Sequence, residues 1–198
     1  MILAMKTRLE PKQAESHYVP EVCKKAEAKW DEATKKLGDV LLGLLSEGFG
    51  LKREALALKL CMEAGIMTGN YYPYCPYLDL TAGLNPVIFT LLMSNQIPGL
   101  QVKVEGHEYW ANLVAHPGAL VLNVGDILQM ISNGKYKSVE HRVLTNSYEE
   151  SGIPVADSFN PSNVADTYEL LPEIDEMARY HDFEELGAKG LIKNCSTD

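Results

Sequence analysis

The chain has 198 residues, 46% of them apolar and 8% aromatic, which is enough to bury one substantial core and too little for two full domains. A formal charge of -9 and pI near 5.1, with 18 scattered Lys and Arg residues, exclude an electrostatic footprint for nucleic acid or for an anionic membrane surface. The four cysteines, Cys23, Cys61, Cys75 and Cys195, are widely spaced without a Cys-x-x-Cys pair, and no signal peptide precedes them. Free thiols, a reduced cytoplasmic setting and a soluble monomer are the expectation.

In chain order, residues 1–20 mix charge and polarity around Pro11 and Pro20 with no sustained period, and read as a poorly ordered arm. From Glu21 the pattern changes. Leu37, Val40, Leu41, Leu44 and Leu45 recur at three-and-four spacing, which predicts an amphipathic helix ending near Gly48 or Gly50, its apolar face laid on a sheet. A second, shorter helical pattern follows over 52–62, so that 21–62 form a helical support region. The segment 64–72 turns β-like before Pro73 and Pro76 interrupt it.

Beyond it, turn residues arrive at short intervals: Gly83, Pro86, Pro98-Gly99, Gly106, Pro117-Gly118, Asn133-Gly134 and Pro154. Short strands between frequent turns predict an antiparallel sandwich or barrel over 63–198. Residues 117–146 read as strand, tight turn, strand, with Asn133-Gly134 as a type I′ hairpin turn because both residues tolerate positive φ. The tail, 171–198, reads as a helix packed back on the sheet. No apolar run approaches the roughly 20 residues of a membrane helix.

Three stretches carry more than fold. They are Asn70-Tyr71-Tyr72-Pro73, the run from Ile97-Pro98-Gly99-Leu100 through Pro117-Gly118-Ala119, and Ser138-Val139-Glu140-His141-Arg142. In these the chain resembles plant-type Fe(II)/2-oxoglutarate-dependent dioxygenases, particularly the 1-aminocyclopropane-1-carboxylate oxidase homologs, over roughly 19–191. The resemblance implies a mostly β fold with flanking helices: a double-stranded β-helix, or jelly roll, with N-terminal helices and a C-terminal helix. It also implies Fe(II) and 2-oxoglutarate as cofactors, and oxidation of a small molecule such as a plant specialised metabolite or hormone. Family members carry a longer N-terminal region ahead of the helix at Trp30, so the chain reads as truncated.

Such an enzyme holds iron with two imidazoles and one carboxylate on one face. By resemblance His141 is the distal histidine. The His-x-Asp pair belongs in 80–93, where Gly83 is followed closely by Phe89-Thr90 and neither residue is present. The five histidines, His17, His107, His116, His141 and His181, include no His-x-Asp or His-x-Glu; His181 directly precedes Asp182, and adjacent residues on regular structure point to different faces. Asp79, Asp157 and His116 remain as improvised ligands.

The family grips the far carboxylate of 2-oxoglutarate with Arg-x-Ser, since a guanidinium forks onto a carboxylate. Here those positions hold Gly152-Ile153-Pro154. Arg142 adjoins His141 but on a strand points to the opposite face. Asn70 and Tyr72 match the remaining cosubstrate contacts and are kept.

Asp157 stands where relatives carry an aromatic or apolar side chain. Facing the core it requires a partner, so an outward orientation or a register lost after Pro154 is open. Tyr71, Tyr72, Tyr74 and Tyr77 form an aromatic cluster broken by prolines, which reads as core or pocket lining rather than a stacking platform. The residues therefore point to an inactive member of the family. The alternatives are a non-catalytic small-molecule or protein-binding module on the same scaffold, or an active enzyme with unorthodox ligands around His141.

Overall fold

The computed structural model describes residues 2–8, 20–60, 64–76 and 87–160. Among these residues eight strands form two sheets. The larger has the order β1-β2-β8-β3-β6 and the smaller β5-β4-β7. Their strands are β1 (Ile2–Arg8), β2 (Ala64–Asn70), β3 (Phe89–Met93), β4 (Leu100–Lys103), β5 (Trp110–Asn112), β6 (Val121–Val124), β7 (His141–Val143) and β8 (Val155–Asn160). Helices α1 (Glu21–Gly48), α2 (Ala55–Leu60) and α3 (Asp126–Ile131) complete the described elements. All strand pairings are antiparallel. This is the jelly roll with supporting helices that the sequence predicts; the expected C-terminal helix lies outside the described residues.

Strand alternation assigns each face of the larger sheet. Phe89 and Leu91 of β3 and Asp157 and Phe159 of β8 turn to one side and are buried, while Thr90, Leu92, Ala156 and Ser158 turn to the other. Phe89 and Phe159 face each other directly in the ladder, their ring centroids 4.5 Å apart. With Leu42, Leu56, Ile88, Leu91, Leu128 and Ile131 they form the core, into which Leu37, Leu41, Leu45 and Phe49 of the helical layer pack.

The packed stripe of α1 differs from the predicted one. Val40 and Leu44 are 47% and 52% exposed, whereas Thr34, Gly38, Leu42 and Ser46, at four-residue spacing, are buried. Three of these four are small, which lets the helix approach the sheet closely. Ser46 also links the two helices: its hydroxyl donates to the Leu42 carbonyl at 2.8 Å and accepts the Leu56 amide of α2 at 3.2 Å.

Three sequence expectations are corrected. The arm at 1–20 contains strand β1, which pairs with β2 from Ile2↔Asn70 to Arg8↔Gly65; backbone pairing requires no side-chain period, so none was visible. Asn133-Gly134 does not turn a hairpin. Both have positive φ, 50° and 73°, but they close α3, with the Gly134 amide on the Gln129 carbonyl at 2.8 Å and the Asn133 amide on that of Met130 at 2.9 Å. This is a Schellman helix end, whose left-handed residue has the same local signature as a type I′ turn. Asp157 neither faces outward nor marks a lost register: it is fully buried and opposes Met67 and Leu91 in an unbroken ladder.

The partner that makes Asp157 tolerable comes from α1. Thr34 Oγ1 donates to Asp157 Oδ2 at 2.5 Å, a polar tie between helix and sheet in an apolar layer. Thr34→Val is expected to destabilise the protein by about 1.5–3 kcal/mol, because it withdraws a hydrogen bond from a buried acid, and adding Asp157→Leu is expected to recover part of the loss. Urea unfolding of both variants checks this. Gly125 joins β6 to α3 so closely that an added Cβ would lie 2.0 Å from the Val87 carbonyl oxygen. Gly125→Ala is therefore expected to cost about 3 kcal/mol, read as a lower thermal midpoint.

Candidate functional site

Between the two sheets lies a cavity of about 580 Å³. Its position follows from strand parity: the residues that turn away from α1 and α2 have no helix against them and meet the inner face of the smaller sheet. Thr68 and Asn70 of β2, Thr90 and Leu92 of β3, Asn123 of β6 and Ala156 and Ser158 of β8 line one wall. Leu100 and Val102 of β4 and His141 and Val143 of β7 line the other.

Five of the residues singled out in the sequence lie on this cavity: Asn70, Tyr72, His141, Gly152 and Pro154. The backbone explains why. Tyr72 and Gly152 exchange reciprocal hydrogen bonds of 2.8 and 2.9 Å, and the Asn70 amide donates to the Pro154 carbonyl at 3.0 Å, so the two segments continue the β2–β8 ladder to its end. Pro154 lacks a donor but supplies its carbonyl. Asn146, buried, holds the same corner. Its Nδ2 donates to the Tyr72 and Glu150 carbonyls at 3.0 and 2.6 Å, and its Oδ1 accepts the Tyr148 amide at 2.9 Å.

His141 and Arg142 point to opposite faces, as strand geometry predicts. The Arg142 guanidinium stacks 4.3 Å from the Trp110 ring centroid and its Nε donates to Gln101 Oε1 at 2.8 Å, away from the cavity. His141 opposes Val102 in the ladder, and its Nδ1 lies 3.4 Å from the Val139 carbonyl. An Nδ1–H directed at that carbonyl leaves Nε2 as the lone-pair atom.

One imidazole does not make an iron site. Among the described residues no three His, Cys, Asp or Glu side chains are grouped to hold a metal. Of the improvised ligands, Asp157 is on the helix side of its strand, tied to Thr34; His116 is exposed, its Nδ1 3.2 Å from the Pro117 carbonyl; neither lines the cavity. Asp79 lies outside the described residues. The donor set of the described residues therefore does not fit the facial triad of a non-haem iron.

The grip on a dicarboxylate does not fit either. Among the described residues the cavity wall has no guanidinium, and the one lysine on it, Lys137, is paired with Glu105 and 60% exposed. Burial raises the Tyr72 phenol above its ordinary pKa, which keeps it a neutral hydrogen-bonding group.

Sequence reasoning missed the row of neutral polar residues Thr68, Thr90, Asn123 and Ser158. Thr68 shares strand parity with Asn70, a usable signal, but Thr90, Asn123 and Ser158 join the row only through cross-strand register. Of the cysteines, Cys23 and Cys75 are free thiols, and Cys61 and Cys195 lie outside the described residues. No helix among the described residues is long and apolar enough to cross a membrane.

Comparison with known proteins agrees with this architecture. Residues 64–151 match the model of the 2OG-Fe(II) oxygenase superfamily. The chain is 41% identical over 146 residues to deacetoxyvindoline 4-hydroxylase of Catharanthus roseus, covering 72% of this chain and 36% of the relative. It is 42% identical over 148 residues to 1-aminocyclopropane-1-carboxylate oxidase homolog 11 of Arabidopsis thaliana, covering 73% and 40%. The chain thus spans less than half the length of these curated relatives. Among solved structures, JOX2 in complex with 2OG, Fe and JA superposes with a TM-score of 0.76 at 29% identity, over 87% of this chain and 53% of that one. The family's cofactors are accordingly Fe(II) and 2-oxoglutarate. By its matched motifs, its two-sheet fold and these relatives, the chain belongs to the 2OG-Fe(II) oxygenase superfamily.

Proposed function

We propose that this chain is a non-catalytic member of its family, a jelly roll that keeps the cavity between its sheets without a working iron centre. One observation carries the reading. His141 is the sole metal-ligating side chain on the cavity wall among the described residues, and no carboxylate accompanies it. A single imidazole holds a divalent first-row ion weakly, because structural and catalytic sites alike draw on three or more protein ligands. No reaction step through iron follows from such a donor set.

On this reading His141 is a retained ligand position without its partners. Asn70 and Tyr72 are retained cosubstrate contacts without the cation that would anchor 2-oxoglutarate, since Gly152 and Pro154 occupy the two anchoring positions. The surviving capacity is binding. A cavity of about 580 Å³ lies within the roughly 300–1,000 Å³ typical of small-molecule sites, which favours a small organic molecule over a protein partner. A relative named deacetoxyvindoline 4-hydroxylase, and a neighbour solved with JA, support a specialised metabolite or hormone as its class.

Anaerobic calorimetric titration with Fe(II), with and without 2-oxoglutarate, is expected to give no stoichiometric binding, and His141→Ala is expected to behave like the parent. Tight one-to-one binding abolished by His141→Ala would sink the proposal. The Tyr72 phenol provides a second check on the neutral wall. Its folded pKa is raised, so its contribution to stability is complete below the ordinary phenol range and is lost as pH rises through that range to the raised value. Ultraviolet titration of tyrosinate is expected to lose one late-ionising phenol in Tyr72→Phe.

A further inference from the structure

The two walls of the cavity differ in chemistry, and the difference specifies a ligand. On the larger sheet Thr68, Asn70, Thr90, Asn123 and Ser158 form a neutral row of hydroxyls and amides. Thr90 Oγ1 and Ser158 Oγ lie 3.2 Å apart in a mutual hydrogen bond, whereas the side chains of Thr68, Asn70 and Asn123 make none to another described residue. Such groups are satisfied by water or by a ligand. On the smaller sheet Leu100, Val102 and Val143 present branched apolar side chains at alternate positions of paired strands, with His141 beside Val102 as the one polar side chain those two strands add to the described wall.

Permanent charge is almost absent. Lys137 is the single charged side chain among the described lining residues, and it lies largely in solvent beside Glu105. A dianion entering this space would shed its water without gaining a cation, which is unfavourable. A neutral molecule meets no such penalty and gains from covering the apolar wall.

We propose that the cavity binds an uncharged, mostly apolar organic molecule with hydroxyl or carbonyl groups along one edge. Its apolar face lies on Leu100, Val102 and Val143, and its polar edge on Thr68, Asn70 and Asn123. This rests on the metal-free reading above and deepens it: with no guanidinium among the described lining residues, the preferred occupant is a neutral molecule rather than an anion.

Two dyes that share one ring system test the charge preference. Fluorescence titration is expected to give single-site binding of neutral N-phenylnaphthylamine about tenfold or more tighter than of its sulfonated counterpart, anilinonaphthalene sulfonate. Position 152 can accept a side chain, since a Cβ there would lie 3.4 Å from Tyr72 Cβ, an ordinary contact. Gly152→Arg is accordingly expected to reverse the order of the two dyes. Val143→Phe, which fills the cavity from the apolar wall, is expected to weaken the neutral dye by about tenfold. Circular dichroism confirms that each variant is folded.

The polar edge is tested by competition. Dihydroxynaphthalene is expected to displace the neutral dye roughly three- to tenfold more effectively than dimethylnaphthalene, and Asn123→Leu to shrink that ratio. The proposal is overturned if the folded parent protein binds the sulfonated dye as tightly as the neutral one, binds neither in a saturable way, or keeps its dye affinity in Val143→Phe. Stoichiometric Fe(II) uptake dependent on His141 would instead overturn the metal-free reading. Absence of both Fe(II) and neutral-dye binding overturns this inference alone.

Discussion

The register of β8 against β2 and β3 is the constraint on which the rest depends. Phe159 opposes Phe89 and Gly65, Asp157 opposes Leu91 and Met67, and Ser158 opposes Thr90 and Ile66. Because strand side chains alternate with a period of two, this one alignment sends the aromatic pair to the helices and the hydroxyls to the cavity. A slip of one residue would bury Ser158 under α1 and place Phe159 in the pocket. The Thr34–Asp157 hydrogen bond adds a polar contact that only the native register can make, and so favours specificity even where its net stabilisation is modest.

The same alignment accounts for the state of the site. Tyr72, Gly152 and Pro154 remain on the cavity because the β2–β8 ladder continues into their backbone, and backbone pairing does not depend on which side chains those positions carry. Gly152 and Pro154 therefore hold their place in the ladder although neither brings a charged side chain to the cavity. Architecture and chemistry are separable here: a sheet is held by main-chain hydrogen bonds and core packing, and a metal centre by a few side chains whose loss costs the core nothing.

The closure of α3 against α1 shows how the helical layer is held in place. Tyr136 packs edge-on against Phe49 at 4.7 Å and donates its hydroxyl to the Leu45 carbonyl at 3.3 Å, while Lys135 Nζ donates to the Gly48 carbonyl at 2.5 Å. The segment that leads into His141 is thereby fastened to the end of the long helix. That contact explains the small residue at 48, where a Cβ would lie 2.3 Å from the Tyr136 hydroxyl. The support helix thus reaches the cavity wall through one loop.

Much of this was legible in the sequence. Periodicity located α1 and α2, β-like patterning located β2, and the motifs singled out Asn70, Tyr72, His141, Gly152 and Pro154, which line one cavity in the fold. The absence of His-x-Asp and Arg-x-Ser is also a statement about sequence, because a missing side chain is visible without a fold. What only the tertiary structure decided depends on neighbours distant in the chain. Leu42 rather than Leu44 is buried because the sheet selects the closest-packing stripe of α1; Asn133-Gly134 ends a helix rather than a hairpin because the apolar side chains before it pack into the core as a turn of α3; Asp157 is buried because Thr34, 123 positions away, supplies its hydrogen bond. Local residues set local conformation and the inventory of chemical groups, whereas burial, pairing and the neutrality of a cavity are sums over many strands and exist only once those strands have met.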